Sequence, residues 1–81
     1  MASLRVLNSS GDRQISWSTV DLARGDPEAM AAVREAERIF AHERQRGSVA
    51  FQVEPGAPGR RVDVFDPSAD ETLMLPPMVG G

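Results

Sequence analysis

Residues 26–53, DPEAMAAVREAERIFAHERQRGSVAFQV, contain the change of period on which the fold turns. Asp26 is a good helix N-cap, Pro27 suits the first helical position, and Glu28 complements the positive end of the helix dipole. The stretch that follows is rich in alanine, glutamate and arginine, all strong helix formers. Met30, Val33, Ala36 and Phe40, with Ala29, Ala32 and Ile39, recur at spacings of three and four and so share one face. Gly47, just after the arginines of the last turn, is a natural stop. At ~1.5 Å per residue the helix approaches ~30 Å, enough to cross a small sheet diagonally. Beyond it the period falls to two. Val49, Phe51 and Val53 alternate with Ala50 and Gln52, as in a strand with one buried face. Phe40 and Val33 are therefore expected to pack against Phe51.

Upstream of the helix, residues 4–8 read as a short strand and residues 13–17 as a second. The turn formers Asn8-Ser9-Ser10-Gly11-Asp12 between them signal a hairpin. Residues 18–25 read as a connection, with Val20 and Leu22 tucked against the core. Downstream, Pro55-Gly56-Ala57-Pro58-Gly59 is a loop. Residues 60–65 form another strand with Val62 and Val64 on one face. Asp66-Pro67 looks like a second N-cap and first position, giving one helical turn over residues 67–70. Residues 72–75 are a last strand, ended by Pro76-Pro77 because proline cannot donate to a sheet ladder. Strand, strand, helix, strand, strand, turn, strand implies a two-layer α+β domain, a long helix across one face of a mixed sheet.

With 81 residues the chain is one domain with a thin core. It contains no cysteine and one histidine, which excludes disulfides and thiolate chemistry and makes a zinc site unexpected. Its net charge of −3 argues against phosphate-dominated nucleic-acid binding. The N-terminal stretch lacks the basic region and apolar run of a signal peptide, and no segment has the ~20 apolar residues of a membrane span. The expected compartment is the cytoplasm, with neither nucleic acid nor membrane as partner. All nine basic residues are arginine. A GC-rich genome accounts for that. So does a protein whose activated tail reacts with amines and benefits from carrying no lysine of its own.

The end of the chain, Glu71-Thr72-Leu73-Met74-Leu75-Pro76-Pro77-Met78-Val79-Gly80-Gly81, resembles the terminus of the β-grasp sulfur carriers, the small subunits of molybdopterin synthesis above all. Those finish in a strand, a Pro-Pro step, two small or apolar residues and Gly-Gly. Thiamine-type carriers and ubiquitin share the diglycine on the same fold. The resemblance covers about ten residues, and upstream it rests on the order of elements alone. It implies a β-grasp (ubiquitin-like) domain over residues 1–75 and a flexible presenting tail over residues 76–81.

The tail has a physical logic of its own. Two terminal glycines arise by chance in roughly one chain in two hundred. Lacking Cβ atoms, Gly80 and Gly81 form the thinnest peptide that threads a narrow channel. Pro76 and Pro77 stiffen the step before them, and six extended residues hold a carboxylate up to ~20 Å from the sheet. Nothing preorganised surrounds that carboxylate, so catalysis by this chain itself is not expected. The resemblance implies that Gly80 and Gly81 are the acyl-donor site. An E1-like enzyme, supplying ATP and magnesium, adenylates the Gly81 carboxylate. A sulfur donor then gives a thiocarboxylate for a sulfur-accepting enzyme. Alternatively an enzyme cysteine carries the acyl group to lysines of target proteins. Pro-Pro favours the carrier and the absence of lysine favours a modifier that builds no lysine-linked chains.

Met74, Pro76, Pro77, Met78 and Val79 are candidates for tail presentation and partner contact, although simple packing serves equally for Met74 and Met78. His42 reads as a solvated residue at the negative helix end. Asp63, Asp66, Asp70 and Glu71 lack calcium-loop spacing and suit turn capping. Arg44, Arg46, Arg60 and Arg61 suit a solvated surface or a patch for an acidic partner, and Trp17 and Phe51 suit the core. A ubiquitin-like interaction module whose glycines are never activated is the remaining alternative. An export-leader cleavage signal fits poorly, because such leaders are unstructured or singly helical.

Overall fold

The computed structural model of the chain describes residues 1–8 and 11–77. The long helix starts where its capping chemistry places it. The carboxylate of Asp26 accepts from the Ala29 amide at 3.0 Å, and helix α2 runs Pro27–Gln45. (Helix α1 is the short Thr19–Ala23 described below.) Gly47 follows at φ +94°, a conformation that only glycine adopts without strain. Ala29, Ala36, Ile39 and Phe40 are buried, and Ala32 and Val33 pack half-buried beside them. Met30 falls off this face and is exposed.

Among the described residues, five strands form one mixed sheet: β1 Ala2–Asn8, β2 Gly11–Trp17, β3 Val49–Val53, β4 Arg60–Val62 and β5 Glu71–Leu75. Their spatial order is β2-β1-β5-β3-β4. The central pair β1–β5 is parallel, with Leu4 opposite Thr72, and the other pairings are antiparallel. With α2 on one face this is an α+β domain, as the element order implies.

The covered face of β3 is the reverse of the one expected. Ala50 and Gln52 are buried on the helix side, whereas Val49, Phe51 and Val53 lie half-buried on the other side. Phe51 therefore does not meet Phe40 or Val33. Strand β5 follows the same phase, with Thr72 and Met74 buried and Leu73 and Leu75 turned away. The core instead gathers Ala2, Leu4, Val6, Trp17, Ala36, Ile39, Phe40, Ala50 and Met74. Buried Gln52 is not left unpaired, since its Oε1 accepts from Arg60 Nη2 at 3.1 Å.

Three other segments differ from expectation. Ser18 caps α1 by accepting from the Asp21 amide at 3.2 Å. Leu22 packs at the core edge while Val20 stays exposed. Strand β4 ends at Val62, opposite Ala50 near the start of β3, because beyond that register little partner strand remains. Val64 is accordingly 75% exposed, and Phe65 turns inward. Its ring sits 5.8 Å from Trp17 and 5.6 Å from Phe40. Asp66 does cap, accepting from the Ser68 amide at 2.9 Å and from its hydroxyl at 2.7 Å, but the result is a turn and not a helix. Trp17 ties this turn down by donating from Nε1 to the Pro67 carbonyl at 2.9 Å.

Candidate functional site: the root of the tail and the open sheet face

Strand β5 lies between β1 and β3, so whatever follows it leaves from the middle of the sheet. Met74, next to last in the strand, is fully buried. It anchors β5 and is not available to a partner, so packing is its role. Pro76 and Pro77 emerge exposed. Pro77 lies against the helix end: a Cβ built on Gly47 would stand 3.4 Å from the Pro77 Cβ. Met78, Val79, Gly80 and Gly81 lie outside the described residues.

The ground beneath this root is fixed by polar contacts between the end of α2 and the start of β3. The Ser48 amide donates to the Glu43 carbonyl at 2.9 Å, and its hydroxyl donates to Glu43 Oε1 at 3.1 Å. Arg44 donates to the Ser48 carbonyl at 3.1 Å and pairs with Asp63 at 3.0 Å. Arg46 pairs with Glu43 at 3.3 Å while its own side chain stays largely in solvent. Helix end, strand start and root thus hold a common geometry. Exposed His42 is nearby, as expected of a solvated residue at a helix C-terminus.

The helix-free face of the sheet carries the second feature. One cross-strand row runs Gln14, Arg5, Leu73, Phe51, Arg61 across all five strands. Val49 and Leu75 form the next pair beside it, toward the root of the tail. Leu73 and Phe51 are thus an apolar centre between two guanidinium groups, continuous with the strand end from which Pro76 and Pro77 depart. Arg5 lies along the face. Its Nη2 reaches Asp12 at 3.1 Å, while its Nε is buried with no partner among the described residues. The alternation in β3 and β5 already carries the signal for this face, because one helix covers only one side of a sheet.

The remaining candidates disperse. Arg60 and Arg61, neighbours on a strand, point to opposite faces, so the four arginines make no common patch. Asp63 is held by Arg44, and Glu71 lies on the open face. Among the described residues no three acidic or histidine side chains are grouped to hold a metal. Hydrogen bonds from Ser68 hold the Asp66 carboxyl below the usual carboxylate range. The hydrogen bond and charge of Arg38 do the same for Glu35. No helix among the described residues is long and apolar enough to cross a membrane. Comparison with family models, curated proteins and solved structures gives no match for this chain.

Proposed function

We propose that this chain is a β-grasp, ubiquitin-like sulfur carrier of the cytoplasm. An E1-like enzyme adenylates its Gly81 carboxylate, and the acyl-adenylate is converted to a thiocarboxylate for sulfur transfer. The observation that carries the reading is the course of β5. Its buried residues fix the strand at the sheet's centre, its outward Leu73 and Leu75 join an apolar face, and its end leads through Pro76-Pro77 to the diglycine. The order β2-β1-β5-β3-β4 around a parallel central pair, with one helix across it, supports the β-grasp assignment. In this account Leu73 and Phe51 seat the activating enzyme, and the short arm delivers the carboxylate into its active site. ATP and magnesium belong to that enzyme.

Activation can be trapped before the partner is identified. The purified protein is incubated with ATP and a desalted extract of its own cells, and hydroxylamine is added. An activated Gly81 is captured as a hydroxamate about 15 Da heavier than the acid, as expected for attack of an amine on an acyl intermediate. The product should require ATP and vanish when Gly81 is deleted. No hydroxamate from extracts that bind the protein would favour the second reading, an interaction module that uses the Leu73–Phe51 face alone.

A further inference from the structure

Every side-chain cation in this sequence is a guanidinium, and two of them, Arg44 and Arg46, come just before the glycine on which the tail's root rests. We propose that arginine at this helix end is a protective device: it supplies positive charge beside the tail without an amine that would consume the activated Gly81 within the same molecule. The inference rests on the acyl-donor reading of Gly81. Gly81 lies four residues beyond Pro77, a reach of at most ~14 Å from a point in contact with Gly47. A residue at position 46 lies well inside that radius. Arginine stays protonated in proteins and is no nucleophile, whereas an exposed lysine at pH 8 is about 0.4% free amine and always ready to attack. A tether this short presents such an amine at a local concentration on the order of millimolar.

Topology completes the separation. Strands β1 and β5 are parallel, so residue 1 sits at the sheet end where β5 begins, opposite the root of the tail. From the level of Leu75 back to Met1 is ~20 Å along β1, beyond what the residues after Pro77 span. Arg24 is similarly remote, at the other end of the 19-residue helix, a length of ~28 Å.

The reaction being avoided is simple aminolysis. An amine nitrogen bonds to the Gly81 carbonyl carbon, the bond to the leaving group breaks, and the nitrogen loses a proton to solvent. It can be tested with no activating enzyme. The protein is expressed with an intein fused after Gly81 and released by a small thiol as the Gly81 thioester. It is then held at pH 8 and followed by intact mass. Wild type should only hydrolyse to the acid. Arg46→Lys should close a ring about 18 Da lighter than the acid, joining Lys at 46 to Gly81, with thioester loss about ten-fold faster and independent of protein concentration. Gln45→Lys, at an exposed position one residue earlier, provides a second ring-former. Arg24→Lys should behave as wild type. The proposal is overturned if neither variant at 45 or 46 closes a ring, if Arg24→Lys closes one as fast, or if wild type cyclises onto the Met1 amine. The thioester is made chemically, so a failure here leaves the activation trap untouched, and a failed trap leaves this geometry untouched.

Discussion

Phe40 and Phe51 are the same side chain in opposite situations, and their substitution separates the two faces of the sheet. Phe40 is buried among Ile39, Phe65 and the core. Phe40→Ala should cost about 3–5 kcal/mol in chemical denaturation, a large share of the stability of so small a domain. Phe51 is half-buried on the open face, and Phe51→Ala should cost about 1 kcal/mol or less. Equal losses would mean that the strand phase is wrong. Val-Ala-Phe-Gln-Val reveals a period of two but not which set points inward. The larger residues suggest themselves, yet small Ala50 lies beneath the helix. The carboxylates act at the same scale. Asp66 and Glu35 are depressed in the folded protein by Ser68 and Arg38 respectively. A depressed carboxylate contributes stability above its unfolded value and loses it as pH falls through its folded value. Below a pH of about 4 the Asp66–Ser68 turn should therefore weaken, and Asp66→Asn should flatten that acid limb in pH-dependent denaturation.

Helix α2 illustrates what is legible in an element. Its cap, its apolar stripe and its stop are all local, and Asp26, Phe40 and Gly47 act as their spacing suggests. Gly47→Ala should cost about 1–2 kcal/mol, because an ordinary residue is strained at φ +94°. Gly47→Asn should cost clearly less, since asparagine visits that region. Denaturation midpoints of the two variants, taken at equal slope, check this. The elements that escape the sequence are those whose limits are set from outside. Helix α1 is five residues long, too short to show a period. Strand β4 ends where β3 leaves it without a partner, and only then is Phe65 free to turn into the gap between Trp17 and Phe40.

At the scale of the molecule, the order of elements indicates a helix over a mixed sheet, and the diglycine marks a candidate site by sequence alone. What needed the register is the row Arg5-Leu73-Phe51-Arg61, assembled from four strands distant in sequence. Leu73→Glu and Phe51→Glu should leave the circular dichroism spectrum unchanged and abolish hydroxamate trapping, because both side chains face away from the core. Full trapping with either variant would remove the open face from the account. The central claim, that Gly81 is an acyl donor, is tested most directly by intact-mass spectrometry of the protein drawn from its own cells. The account predicts a population ending at Gly81 and about 16 Da heavier than the carboxylate, one oxygen replaced by sulfur at the acyl carbon. A population in which every copy continues past Gly81, or ends there only as the plain carboxylate, would contradict it.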